Sequence, residues 1–124
     1  MRAWFVPKGT RLETLRATRE LAPYSERLAG LLPYFDEVSL PAGSVVARES
    51  DQCTTFVVVM HGRLKATAPN AESRTLTAGD TFGWSAMWER EPNSARVVVE
   101  ADARLLVMSH AQFRAVKAIA DPSI

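Results

Sequence analysis

The middle of the chain alternates between short runs of β-prone residues and residues that form tight turns. The runs are apolar and rich in valine, and Pro, Gly, Asn or Asp stands between them. Short strands at close spacing are typical of β-sandwiches, barrels and jelly rolls. The pattern predicts a mainly β protein with strands at 37–40, 44–48, 56–60, 63–68, 74–76, 94–100 and 104–108.

Two of the predicted breaks separate runs of high β propensity. His61-Gly62 stands between the runs 56–60 and 63–68, and residues 101–103 stand between the last two runs. Glycine takes a positive φ without steric cost, so we expect a turn at the first position. The 56–60 run is apolar throughout, which predicts a core strand.

The N-terminal segment, residues 1–35, is helical in character. We expect Pro23 to end a first helix, Ser25 to cap a second one, and Pro33 to end that helix. The leucines near helical spacing are Leu12, Leu15, Leu21, Leu28, Leu31 and Leu32.

A last helix follows the predicted strands. Ser109 and Gln112 have the spacing of a capping box, which predicts a helix start there. The apolar stripe on this helix is Phe113, Val116 and Ile119, and it would either pair with a second copy or pack back on the strands. We therefore predict one domain, 1–124: a helical segment 1–35, a β-roll 36–109 and a C-terminal helix 110–124.

Composition limits the possible functions. With 124 residues, 47% of them hydrophobic, the chain can form one core but not two domains. A formal net charge of +1 indicates neither a nucleic acid nor an anionic membrane as partner. Cys53 is the single cysteine, which excludes an internal disulfide. No apolar stretch approaches the ~18–20 residues of a membrane span, so the expected location is the cytoplasm.

The segment 81–99 adds a helical insertion to the strand pattern. It predicts a strand end, a turn at Gly83, a helical turn at 85–88, a loop with Pro92, and a new strand. The first turn of a helix presents backbone N–H groups without intrahelical partners, together with the positive end of the helix dipole. This segment is therefore a candidate anion site.

The same segment resembles the phosphate-binding cassette of the cyclic-nucleotide-binding domain family, whose pattern is roughly F-G-E-x-A-L, a short loop, then P-R-x-A-T-V. The resemblance covers about residues 20–120 and implies a catabolite-activator-like jelly roll with flanking helices. The matching cassette residues are Phe82, Gly83, Ala86, Met87, Pro92, Ala95 and Val97. The matching framework residues are Met60, Gly62, Leu64, Gly79 and Asp80.

Two positions depart from the family's pattern. Trp84 stands where the family has the Glu that holds the ribose 2′-hydroxyl, and Asn93 stands where it has the Arg that pairs with the cyclic phosphate. Losing two contacts of ~1.5–3 kcal/mol each predicts binding weaker by roughly two to four decades. Arg96 and Arg90 are the arginines that would compensate. The candidate pocket is Phe82, Gly83, Trp84, Ser85, Ala86, Met87, Asn93, Ser94, Ala95 and Arg96.

Trp84 and Trp88 lie four residues apart, so they share one face of a helical turn. Their rings would fill the space of the nucleotide, close the pocket, stack on a planar ligand, or cover a partner's apolar surface.

The leading hypothesis is a non-catalytic regulatory or interaction module with weak or lost cyclic-nucleotide binding. The alternative is genuine binding of cAMP, cGMP or another nucleotide through a rewired cassette that uses Ser94 and Arg96. A third hypothesis is a cupin-type metalloenzyme, but His61 and His110 do not form a His-x-His ligand pair.

The expected partners follow from these hypotheses. They are a cyclic nucleotide or other small anion, a protein partner, and a second copy in a homodimer. No metal or other cofactor is expected, and there is no room after the last helix for a helix-turn-helix, so direct DNA binding is not expected either.

Overall fold

The computed structural model describes the backbone of residues 8–120 and the side chains of residues 11–118. The N-terminal part contains α1 (Lys8–Arg16), a 3-10 segment (Arg19–Arg27), α2 (Leu28–Leu31) and a 3-10 turn (Leu32–Tyr34). The remainder contains β1 (Asp36–Leu40), β2 (Val45–Ala47), β3 (Thr55–Thr67), β4 (Arg74–Leu76), β5 (Thr81–Phe82), α3 (Trp84–Glu89), β6 (Arg96–Ser109) and α4 (His110–Ala120). The predicted mainly β fold with flanking helices is confirmed. The predicted parts at 1–7 and 121–124, and the side chain of Ile119, lie outside the described residues.

The sheet is organised around its two longest strands, β3 and β6. They pair antiparallel from Thr55 opposite Ser109 to Thr67 opposite Arg96. β1 and β2 pair with β6, and β4 and β5 pair with β3, also antiparallel. Each short strand is therefore held by one of the two long ones.

The predicted turn at His61-Gly62 and the predicted break at 101–103 are both wrong. β3 runs through the first site and β6 through the second, and the pairing of the two strands shifts register where they meet. Gly62 has a φ of 97°, and a Cβ there would lie 2.5 Å from the carbonyl oxygen of Asp102. The glycine therefore permits a bulge that bends the paired strands, and the chain does not reverse.

The N-terminal helices also differ from the prediction. α1 ends before Thr18, whose extended backbone (φ −83°, ψ 118°) interrupts the helix. The 3-10 segment then runs through Pro23. Ser25 lies inside this segment and does not cap α2, which begins at Leu28 without a side-chain cap. The chain from Arg19 to Arg27 therefore forms 3-10 turns and not a regular α-helix.

The start of α4 is the predicted capping box. The Ser109 N–H donates to Gln112 Oε1 at 2.8 Å, and the Gln112 N–H donates to Ser109 Oγ at 3.2 Å. Gln112 Nε2 also donates to Asp36 Oδ2 at 3.2 Å, which connects α4 to β1. Phe113 and Val116 are each 2% exposed and pack in the core. These two members of the predicted stripe therefore pack back on the strands.

β3 separates two hydrophobic clusters because its side chains alternate between the two faces of the sheet. Phe56 and Val58 face the helices, and Val57 and Val59 face the interior of the roll. The helical cluster also contains Leu15, Leu21, Leu28, Leu31, Phe35, Leu106, Met108, Phe113 and Val116. The roll cluster also contains Leu64, Leu76, Phe82, Val97, Val99 and Leu105.

Gly62→Ala is expected to lower the free energy of unfolding. A residue other than glycine at this φ costs ~1–3 kcal/mol, and the new methyl group would also meet the Asp102 carbonyl oxygen. Urea unfolding followed by circular dichroism measures the change. Gly30→Ala is the matched control, because no heavy atom outside its own helix lies within 4 Å of the added Cβ. Equal stability of the two variants would contradict the bulge assignment.

Candidate functional site

Gly83 makes the sharp turn between β5 and α3. Its φ is 98°, and a Cβ there would lie 2.5 Å from the Thr55 carbonyl oxygen. The Met87 N–H donates to the Gly83 carbonyl oxygen at 3.0 Å, which is the first helical hydrogen bond of α3. The predicted helical turn at 85–88 is therefore confirmed, and it lies directly against the start of β3.

Cys53 lies behind this turn and is buried. Its thiol donates to the Thr55 carbonyl oxygen at 3.6 Å and lies 3.8 Å from that of Gly83. Burial raises the pKa of the Cys53 thiol above its ordinary value. The side chain is thus a neutral packing group next to the cassette.

A cavity of about 220 Å³ opens beside the start of α3, and we call it the cassette cavity. It is lined by Glu20, Arg74, Thr81, Phe82, Gly83, Trp84, Ser85, Ala86 and Ser94. Residues 82–86 and Ser94 of the predicted pocket thus come together. The predicted residues that do not line it are Met87, Asn93, Ala95 and Arg96.

Asn93 is held by the loop between β2 and β3. Its Nδ2 donates to the Arg48 carbonyl oxygen at 3.0 Å. Its backbone N–H donates to the Asp51 carbonyl oxygen at 2.8 Å, and its own carbonyl accepts from the Ser50 N–H at 3.1 Å. With 9% of its surface exposed, Asn93 acts as a structural connection between this loop and the cassette.

Trp84 packs into an aromatic cluster between the roll and the helices. Its ring centroid lies 4.9 Å from that of Phe56, 5.4 Å from that of Phe113 and 5.9 Å from that of Trp88, each in an edge-on arrangement. Tyr24 approaches to 6.3 Å. Edge-to-face pairs at these distances stabilise by ~0.5–1.5 kcal/mol each beyond area burial. The rings of Trp84 and Trp88 are therefore mainly packing groups.

The remaining predicted residues lie elsewhere. Met87 is buried in the helical cluster and Ala95 in the roll cluster. Arg96 is exposed on β6, and Arg90 lines a different cavity.

Arg74 is the cationic residue at the cassette cavity, and the sequence analysis missed it. The sequence does place Arg74 two residues before the apolar Leu76, which is buried in the structure. Because alternate residues of a strand share a face, this spacing could have indicated that Arg74 lies on the inner face of β4.

Two further features concern the described residues alone. Among them, no group of three or more His, Cys, Asp or Glu side chains could hold a metal ion. None of the helices within 8–120 has the length and apolar character that a bilayer crossing requires.

Asn93→Ala is expected to destabilise the protein. It removes the hydrogen bond from Asn93 Nδ2 to the Arg48 carbonyl oxygen, and a hydrogen bond of this kind contributes ~0.5–1.5 kcal/mol. Ser94→Ala is the control, because Ser94 is exposed. Urea unfolding of both variants measures the difference, and an unchanged midpoint for Asn93→Ala would contradict the structural role.

The chain was then compared with known proteins. The sequence profile of the cyclic nucleotide-binding domain family matches residues 37–119. No curated protein sequence matches the chain.

Solved structures with this fold come from several organisms. A Ruegeria pomeroyi protein assigned to the cyclic nucleotide binding proteins has a TM-score of 0.79 at 15% identity, covering 96% of this chain and 55% of its own. The regulatory domain of Toxoplasma gondii PKA, solved with cAMP, has a TM-score of 0.75 at 18% identity. The match covers 91% of this chain and 46% of that one. The N-terminal domain of a transcriptional regulator from Streptomyces coelicolor has a TM-score of 0.73 at 22% identity. The match covers 89% of this chain and 82% of that one.

This chain spans about half the length of the first two structures. At these identities the likeness establishes the fold, and the family profile establishes the family. Because that profile covers most of the β-roll together with α4, this chain belongs to the cyclic nucleotide-binding domain family.

Proposed function

We propose that residues 1–124 form a single non-catalytic regulatory module in which cyclic-nucleotide binding is weak or lost. The observation that carries this proposal is the hydrogen bond from the Asn93 side chain to the Arg48 carbonyl oxygen. Asn93 stands at the position of the family's phosphate-pairing Arg. Its carboxamide is buried and donates to a backbone carbonyl, so it serves the fold. Membership of a family of regulatory binding domains supports the non-catalytic role.

The phosphate contact is the first weakness of the site. Asn93 carries no charge, and it could turn toward a ligand only by giving up its hydrogen bond to the Arg48 carbonyl oxygen. A charge-assisted hydrogen bond contributes ~1.5–3 kcal/mol, and the hydrogen bond that Asn93 would give up contributes ~0.5–1.5 kcal/mol. The change from Arg to Asn therefore favours a loss of roughly one to two decades in affinity or more.

The ribose contact is the second weakness. Trp84 has no acceptor atom for a sugar hydroxyl, since the indole N–H only donates. Its ring packs against Phe56 and Phe113, and moving it away would expose apolar surface. The two weaknesses together support a loss of ~3–6 kcal/mol of binding free energy relative to a complete cassette.

The packing of the flanking helices against the cassette supports a role in binding another protein. Trp84 connects α3 to α4 through Phe113 and to the N-terminal 3-10 segment through Tyr24. These contacts are apolar and involve no ligand, so they join the flanking helices to the cassette directly. The proposed partner is a protein that binds the flanking helical elements, α4 and the 3-10 segment Arg19–Arg27. The Toxoplasma gondii neighbour is a regulatory domain, which supports a regulatory role.

One observation favours the alternative of a rewired cassette. Arg74 and Ser94 line the cassette cavity together. Arg74 forms no salt bridge within the described part of the chain. Its guanidinium would supply the positive charge that Asn93 lacks, from β4 instead of from the loop before β6.

Isothermal titration calorimetry with cAMP and cGMP, up to millimolar concentration, tests the proposal. The unmodified protein is expected to show no saturable binding in the micromolar range. The double variant Trp84→Glu, Asn93→Arg supplies both family side chains and should bind at least about tenfold more tightly, since one charge-assisted contact provides that factor. Micromolar binding by the unmodified protein would contradict the proposal.

The single variant Arg74→Gln separates the proposal from the alternative. If the unmodified protein binds and Arg74→Gln weakens binding about tenfold or more, the rewired cassette is supported. Arg63→Gln is the control, because Arg63 is exposed on β3 and does not line the cassette cavity. Circular dichroism of every variant establishes that it is folded.

A further inference from the structure

A second cavity of about 220 Å³ lies between the end of α3 and the first turn of α4. It shares only Ala86 with the cassette cavity. The buried Cys53 forms part of its wall. The polar side chains that line it are Gln52, Arg90, Glu91, His110 and Arg114.

These side chains give the second cavity a positive charge. The lining contains the two guanidinium groups of Arg90 and Arg114 and the single carboxylate of Glu91. Within the described residues, neither arginine forms a salt bridge. His110 adds a ring nitrogen, and Gln52 adds an amide that donates hydrogen bonds. With two arginines and one glutamate in its lining, the cavity therefore has an excess of hydrogen-bond donors and of positive charge.

The backbone of Arg90 provides an independent observation. Arg90 ends α3 in the left-handed conformation, with φ 55° and ψ 45°. Glycine is the usual residue at this position of a helix end, because any side chain makes the conformation unfavourable. An unfavourable backbone conformation at the edge of a cavity is a reason to look for a function of the side chain. Here it places a guanidinium at the cavity.

We propose that the second cavity binds a small phosphate-type oxyanion, with Arg90 and Arg114 as its charge partners. Guanidinium groups pair with two oxygens of a phosphate at once, and a tetrahedral oxyanion has enough acceptor oxygens for two arginines, His110 and Gln52. The cavity is smaller than the roughly 300–1,000 Å³ of sites for drug-sized ligands, so a small anion fits its size. This site is separate from the cassette cavity and does not depend on cyclic-nucleotide binding.

Titration of the ¹⁵N-labelled protein with inorganic phosphate tests the proposal by amide chemical shifts. Chloride keeps the ionic strength constant, so that screening does not change during the titration. Saturable shifts are expected at Gln52, His110 and Arg114, which line the second cavity and not the cassette cavity. Saturable shifts confined to Thr81 and Ser94, which line only the cassette cavity, would overturn the proposal. The absence of any saturable shift would overturn it as well.

Arg90→Gly is the decisive variant, because binding and stability should change differently. Glycine relieves the left-handed backbone, so the urea midpoint should stay the same or rise, while phosphate affinity falls at least about tenfold. Arg114→Gln should produce a similar loss of affinity. Arg63→Gln, outside the second cavity, should leave the affinity unchanged. Undiminished phosphate binding in the Arg90→Gly, Arg114→Gln double variant would overturn the assignment.

Discussion

The pairing of β3 with β6 is the constraint on which the other parts of the structure depend. The two strands remain paired from Thr55 to Thr67, and every other strand pairs with one of them. Alternation along β3 then divides the apolar side chains between a roll interior and a cluster under the helices. Gly62 keeps the pairing continuous where the strands bend, because its missing Cβ lets β6 approach closely.

In the cassette, two positions at which the family binds its ligand carry side chains that stabilise the fold. Asn93 donates to a carbonyl of the loop between β2 and β3, and Trp84 packs with aromatic residues from β3 and α4. Both side chains contribute to the stability of the chain in which they lie. A side chain that is already hydrogen-bonded or packed can turn toward a ligand only by giving up those contacts.

The short helix α3 separates two cavities of different character. The cassette cavity lies at its start and has Arg74 and Glu20 of opposite charge. The second cavity lies at its end and has Arg90 and Arg114 against Glu91. The aromatic cluster holds α3 between them, so the position of both cavities relative to α4 is set by the same apolar contacts.

The amino-acid sequence by itself determined the mainly β class, the helical flanks, the capping box at Ser109 and the place of the cassette. These features depend on local propensity, on the spacing of residues along the chain and on its match to the family's motif. Only the tertiary structure decided that His61-Gly62 is a bulge, that Asn93 bonds to Arg48, and that Arg74 reaches the cassette cavity. Each of these depends on residues far apart in the sequence, 45 positions for Asn93 and Arg48, and no local pattern specifies which distant partners meet when the sheet closes.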